Sequence, residues 1–419
     1  MKRLARPAAF LTVALLVAGI GLDRAAGVAS AAQPDSVIVV LRDGVDPEQT
    51  AEQHHASHGA QVSHVYRSAL RGYAAQIPAN ARQAIANDPR VAFISEDREV
   101  WATDTVPTGV DRIDGELSSK SAVNSSAPAV AVIDTGSGPH SDLNIAGGKN
   151  CQKGKSFSDG NGHGTHVAGT IAANLNGAGV VGVLPGAPIY SVRVLNSSGS
   201  GTWSQVICGI DWVTANAAAL NIKVANMSLG GTGSDDGNCG RSNGDALHQA
   251  ICNSVTSGIT YVVAAGNSGA DFQSFVPAAY DEVLAVTAMS DSDGKPGGLG
   301  GAPTCRIGES DDAPATFSNF ATTAADQAHT IAAPGVCILS TWKGGGYNTI
   351  SGTSMASPHA AGTVALCIAG PCAALTPSGI IAKMRSDAAA RPTSYGFTGD
   401  ANSTVNGRYY GHLIYAGGY

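Results

Sequence analysis

Charge is scarce in this chain: Asp, Glu, Lys and Arg make up 14% of its 419 residues, and the formal net charge is −7. The basic face that nucleic-acid binding requires is missing, and no basic cluster marks a membrane-surface binder. Cysteine is absent from the first 150 residues; all eight, at 151, 208, 239, 252, 305, 337, 367 and 372, follow. No Cys-x-x-Cys pair finds a matching second pair, so a zinc site is not indicated. An even set confined to one region reads instead as up to four disulfides formed in an oxidising compartment. A long apolar run is lacking too. Ala8–Leu22 is nearly all apolar, but shorter than the roughly 20 residues a bilayer span needs. Lys2, Arg3 and Arg6 precede it and Ala29-Ser30-Ala31 follows, the layout of a secretory signal covering residues 1–32. Glycine is abundant, at 53 residues. Few charges and much glycine imply a tightly turning α/β or β-rich globule, and the length implies two domains behind the signal.

The first domain spans residues 33–103. Ser36–Leu41 is a Val/Ile-rich strand, and Asp46-Pro47-Glu48-Gln49 supplies an N-cap, a first-turn Pro and a Gln three positions after the cap. That helix runs to about His58, with Gly59 ending it. Gln61–Tyr66 and Tyr73–Ile77 read as strands, Ala81–Ala86 as a second helix and Val91–Ser95 as a last strand. The order β-α-β-β-α-β is the ferredoxin-like motif. His54 and His58 lie one helical turn apart, yet no third ligand accompanies them, and they read as solvated surface residues.

In residues 104–419 short apolar runs alternate with helical stretches. Ala129–Ile133, Ile189–Val194, Ile222–Met227, Thr260–Ala265 and Val283–Ala288 are expected to be buried strands, with helices at Trp203–Asn216 and Ala246–Val255. Such alternation predicts an α/β fold, a mostly parallel sheet flanked by helices. Sites in these sheets lie beyond the carboxyl ends of the strands. Asp134 follows the strand Ala129–Ile133 at that place. His166 sits in Gly162-His163-Gly164-Thr165-His166-Val167-Ala168-Gly169-Thr170, and Ser354 in Ser351-Gly352-Thr353-Ser354-Met355-Ala356. A serine hydroxyl needs an adjacent base, and the base an orienting carboxylate. A serine at a helix start also leaves its own N–H free to bind an oxyanion.

These three strings, in the order Asp, His, Ser, resemble those of the subtilisin-like serine proteases, whose chain order is itself a known pattern. The resemblance covers about residues 105–419, and residues 36–100 are similar to the family's inhibitor-like propeptide. It implies a catalytic triad of Asp134, His166 and Ser354. It makes Asn267, in Ala264-Ala265-Gly266-Asn267-Ser268-Gly269, the side-chain donor of the oxyanion hole. By the same likeness Ser228, Leu229 and Gly230 pair with the substrate backbone, while Leu229, Val206 and Trp203 form an apolar pocket for the fourth residue before the cut. Nothing acidic lies in these stretches, which implies apolar P1 and P4 preferences rather than paired basic residues.

No catalytic cofactor is implied. A structural Ca²⁺ is a candidate near Asp142 and Asn176, where some relatives bind one; no ligand is assigned, since loop Asp and Asn residues also form turns. The loop Ser137-Gly138-Pro139-His140-Ser141-Asp142-Leu143 lacks the Pro that usually follows its histidine in the family. The implied partners are protein or peptide substrates and the chain's own propeptide, with a secreted monomer, no nucleic acid and no membrane once the signal is removed. Self-cleavage is expected after Ala102 or Thr103. Cys367–Cys372 is expected as a local bridge, and order alone suggests Cys151–Cys208, Cys239–Cys252 and Cys305–Cys337. Two other readings fit the sequence less well. A binding-only relative would lack a catalytic group, and an esterase would need a Gly-x-Ser-x-Gly elbow and the chain order Ser…Asp…His.

Overall fold

Alternate residues of Ala129–Ile133 face opposite sides of one sheet, and both sides are buried. Val130 and Val132 join an apolar cluster with Val167, Ile171, Val224, Val262, Met355 and Val364. Ala129, Ala131 and Ile133 join another with Val206, Ile210, Met227, Leu247, Ile251 and Val263. A strand covered on both faces must be apolar throughout, which is why these segments read as continuous runs. The computed structural model describes residues 35–97, 104–117 and 127–419. They form two compact units, divided between Val100 and Trp101. The signal segment, residues 1–32, and the expected cleavage point at 102–103 lie outside the described residues.

The smaller unit has a four-stranded sheet ordered Gln61–Tyr66, Gly72–Ile77, Asp35–Leu41, Val91–Glu96. Both pairs made by Asp35–Leu41 are antiparallel. The helices Pro47–His58 and Arg82–Ala86 complete the expected β-α-β-β-α-β order. Asp46 caps the first helix by accepting from the Glu48 and Gln49 N–H groups. His54 corrects the expectation of a solvated residue: it is buried, with Nδ1 on Tyr73 Oη and Nε2 3.0 Å from Asp88 Oδ2. It ties the first helix to the sheet and to the turn before the last strand.

In the larger unit the sheet runs Ala313–Pro314, Leu284–Ser290, Thr260–Ala264, Ile222–Met227, Ala129–Asp134, Ile189–Arg193, Ile145–Asn150, with Thr330–Pro334 also pairing Leu284–Ser290. Every pairing is parallel except that of Ala313–Pro314. The helices His163–Ala172 and Thr353–Ile368 pack on one face, Trp203–Asn216 and Ala246–Thr256 on the other. No helix among the described residues is long and apolar enough to cross a membrane.

Four disulfides join Cys151–Cys208, Cys239–Cys252, Cys305–Cys337 and Cys367–Cys372, with Cα separations of 6.0, 5.9, 5.7 and 5.0 Å. Their sequence separations run from 57 residues for Cys151–Cys208 to 5 for Cys367–Cys372. If loop closure in the unfolded chain governs their effect, removing the first should cost about 4 kcal/mol and removing the last about 2 kcal/mol. Urea midpoints of the two double Cys→Ser variants check this. Equal losses, or the reverse order, would contradict the entropic account.

Candidate active site

Asp134 ends its strand with its side chain fully buried, and accepts the Thr135 N–H at 2.7 Å through Oδ1. The histidine facing it is His163, not His166. His163 Nδ1 lies 2.8 Å from Asp134 Oδ1 and 3.0 Å from Oδ2. His163 is the first residue of the helix His163–Ala172, so it stands nearest the carboxyl end of the strand. His166 sits three residues, or about 4.5 Å, farther along the helix axis. There it is fully buried, with Nε2 donating to Ile338 O at 2.9 Å and approaching Asn348 O at 3.2 Å. Its ring meets that of Trp342 edge-on. It anchors the helix to the hairpin Ile338–Trp342 and Gly346–Ile350. The expectation that His166 is the base is therefore corrected.

Local sequence explains why the contact forms. A Cβ on Gly164 would stand 2.0 Å from Gly136 O, so only glycine lets the helix approach the strand end this closely. Gly162, with φ 122°, makes the turn into the helix, and a Cβ there would strike the Trp342 indole at 2.4 Å. Asp159 secures the helix start, accepting from the Asn161, Gly162 and Thr165 N–H groups and from the Thr135 and Thr165 hydroxyls. Sequence reasoning missed Asp159, which lies three residues before the N-cap position, Gly162, where no local capping signal marks it.

Burial pulls the His163 pKa down, but the charge of Asp134 and its hydrogen bond outweigh that, with Asp159 adding to them, so the net shift is upward from 6.5. His166 has no such partner. Burial pushes it down to about 3 despite its carbonyl contacts, and His163 nearby adds to the fall.

Ser354 is the second residue of the helix Thr353–Ile368, so its N–H has no carbonyl within the helix to bond. Pro358, four residues on, has no N–H to offer Ser354 O. Ser228 Oγ donates to that carbonyl instead, at 2.8 Å, while Ser354 Oγ donates to Ser228 O at 3.2 Å. Asn226 holds Ser228 in turn: its Nδ2 donates to Ser228 Oγ at 3.0 Å and its Oδ1 accepts from Ser357 Oγ at 2.7 Å. A buried polar chain thus fixes the serine against the end of the strand Ile222–Met227.

Asn267 Oδ1 accepts from both the Thr353 N–H and the Thr353 hydroxyl, at 2.8 and 2.9 Å. That fixes the amide with Nδ2 turned away from Thr353. A Cβ built on Gly352 would lie 3.5 Å from Asn267 Nδ2 and 3.6 Å from Ser354 N, so the two donors border one space. Asn319, which sequence reasoning missed, braces this loop: its Oδ1 accepts from Ser268 and Ala270 N–H, and its Nδ2 donates to Ala265 O.

One cavity of about 710 Å³ is walled by His163, Ser228, Leu229, Gly230, Trp203 and Val206, among others. Trp203 opens the helix Trp203–Asn216, whose start is closed by Gln205 Oε1 accepting the Thr202 N–H. Val206, three residues on, shares its face. The residues expected to meet a substrate are therefore brought together with His163. At the candidate Ca²⁺ position the groups facing Asp142 are donors: Asn176 Nδ2 at 3.1 Å, and Val180 N–H and Tyr347 Oη at 3.3 Å each. Asn176 Oδ1 takes the Ala178 N–H. This arrangement does not fit the converging oxygens that Ca²⁺ needs.

Histidine NMR separates the two imidazoles. His163 should titrate above pH 6.5, and His166 should stay neutral down to about pH 3. Because the folded value of His163 is raised, the stability it adds is complete below about pH 6.5 and is lost as pH rises through the folded value. A His163 midpoint at or below 6.5 would contradict the Asp134 contact.

The chain matches the subtilase family over residues 125–407 and peptidase inhibitor I9 over residues 36–102. It is 38% identical over 284 residues to the alkaline elastase YaB of Bacillus sp. (strain YaB), across 68% of this chain and 65% of that protein, less than two thirds of its length. Subtilisin DY of Bacillus licheniformis is 39% identical over 267 residues, covering 62% of this chain and 84% of the relative. A crystal structure of a cold-adapted subtilisin-like serine proteinase superposes with a TM-score of 0.54 at 32% identity, covering 74% of this chain and 97% of that one. With its larger unit matched over most of its length and its smaller unit matched as an inhibitor domain, the chain belongs to the subtilase family.

Proposed function

We propose that this chain is a secreted serine endopeptidase, made as a precursor, whose triad is Asp134, His163 and Ser354. The observation that carries the reading is the placement of His163, held by buried Asp134 through Nδ1, on the wall of a cavity that also contains the serine-anchoring residue Ser228. With Nδ1 donating to Asp134, Nε2 keeps its lone pair and faces the cavity as a base. It takes the Ser354 proton as Oγ attacks a peptide carbonyl, then gives it to the leaving amine, while Asp134 steadies the imidazolium. The Asn267 Nδ2–H and Ser354 N–H receive the developing oxyanion, and water then releases the acyl-enzyme. The apolar walls from Leu229, Val206 and Trp203 support an apolar P4 preference. The basic n-region and Ala-x-Ala site support export.

Residues 33–103 act, in this reading, as an inhibitor domain removed by the chain's own Ser354 at the 101–105 linker. A segment of about 70 residues without a disulfide is only marginally stable alone, so digestion of the released piece makes activation irreversible.

Peptide hydrolysis by single variants tests the assignment. Ser354→Ala and His163→Ala should each lower kcat on the order of 10⁶-fold, the loss that subtilisin itself shows. Asn267→Leu should lower kcat by roughly 10²–10³ with little change in KM, again as measured on subtilisin. His166→Asn should spare the chemical step. A tenth of the activity surviving in His163→Ala would sink the triad. Since only neutral His163 is a base, kcat/KM should fall on acidification with a midpoint above 6.5.

The purified Ser354→Ala precursor should keep residues 33–103 attached, as read by mass spectrometry. Cleavage at the linker without another protease present would overturn self-maturation.

A further inference from the structure

Away from this cavity, His248 sits in the helix Ala246–Thr256 with its side chain fully buried. Its Nε2 lies 2.9 Å from Glu282 Oε2. Its Nδ1 has no hydrogen-bond partner, yet stands 3.4 Å from Asp235 Oδ1 and 3.4 Å from Asp236 Oδ1. The three ligand-type atoms offered by His248, Asp235 and Asp236 all lie within 4.8 Å of one another. Separations of 3.4 Å are long for a hydrogen bond. They match the edge of a tetrahedron around Zn²⁺, which bonds of about 2.0–2.1 Å set at about 3.3–3.4 Å.

We propose that His248 Nδ1, Asp235 and Asp236 form a site for a divalent ion of the zinc type, with solvent as the fourth ligand and Glu282 orienting the imidazole from behind. A ligating histidine characteristically donates its other N–H to a carboxylate, which fixes the tautomer and raises its basicity; Glu282 is so placed. Imidazole with two carboxylates suits Zn²⁺ and not Ca²⁺, which takes oxygen ligands.

The surroundings hold these groups ready. The Tyr280 ring stacks on the imidazole at 4.0 Å and 2°, and its hydroxyl donates to Asp245, the cap of the same helix. Cys239–Cys252 ties the loop bearing the two aspartates to the helix, one turn beyond His248. Asp235 Oδ1 accepts the Gly237 N–H. Asp236 Oδ1 accepts from Asn238 and Gly240, and its Oδ2 from Ser242 and Asn243, so it is kept ionised and in place. Cys239 and Cys252 also neighbour the site but are oxidised, and supply no thiolate. Without an ion, burial disfavours a proton on His248, but Glu282, Asp235 and Asp236 more than offset this. Proton and metal therefore compete, and affinity falls as pH falls.

Equilibrium dialysis of the full chain carrying Ser354→Ala against Zn²⁺, followed by metal analysis, tests the site. One Zn²⁺ should be retained per chain, and Co²⁺ in its place should give the strong visible absorption of four-coordinate cobalt. Asp235→Asn and His248→Gln should each weaken binding by more than 10-fold, and Glu282→Gln by roughly 10- to 100-fold. His163→Ala should leave the stoichiometry unchanged, which separates this site from the catalytic cavity. Asp235 is partly exposed, so its variant keeps the test valid should His248→Gln fail to fold. No Zn²⁺ retained at micromolar free metal, or retention unaltered by both Asp235→Asn and His248→Gln, would overturn the proposal and leave His248 as an imidazolium among carboxylates.

Discussion

The contact on which the rest depends is that between buried Asp134 and His163. A carboxylate with no solvent needs donors, and Asp134 finds them in the Thr135 N–H and the imidazole. Satisfying it forces the helix His163–Ala172 to start against the strand end. That is possible only because Gly164 has no side chain to keep Gly136 O away. The contact also takes up Nδ1 of the imidazole and moves that ring toward basicity, which the proposed role as base requires. The glycine, the strand end and the proton affinity are one linked arrangement.

The serine side is built by a different device. An interior proline ordinarily costs a helix a hydrogen bond and leaves a carbonyl unpaired. Here the carbonyl released by Pro358 is that of Ser354, and Ser228 fills it from the neighbouring strand end. Asn226 and Ser357 complete the chain beneath. Thr353, just before the serine, grips Asn267 with both its N–H and its hydroxyl. Ser354, Asn267 and Ser228 are therefore referenced to one helix start, where a shift in one member moves the others.

Much of this was legible because parallel strands buried on both faces announce themselves as apolar runs. The strands at Ala129–Asp134, Ile222–Met227 and Thr260–Ala264 and the helix Trp203–Asn216 fall within a residue or so of expectation. The four cysteine pairs suggested by order and proximity are those the structure joins. The choice between His163 and His166 was not legible from periodicity, because Gly164–Ala172 is buried all round and offers no polar face to set the helix phase. The usable signal was position: a helix that follows a strand in such a sheet begins at the site, so its first histidine is nearest the carboxylate. His54 misled in the opposite way. Its helix looks polar, and only the distant Tyr73 and Asp88 make burial tolerable. Asn319 escaped for a similar reason, acting on a loop some fifty residues earlier in the chain.

The central claim is that Asp134 and His163 make Ser354 a nucleophile. A fluorophosphonate that labels activated serines, followed by peptide mapping, addresses it directly. The account predicts one adduct, on Ser354, forming faster as pH rises through the His163 titration, absent in His163→Ala and retained in His166→Asn. An adduct on another serine, or labelling that survives His163→Ala and is lost in His166→Asn, would contradict it.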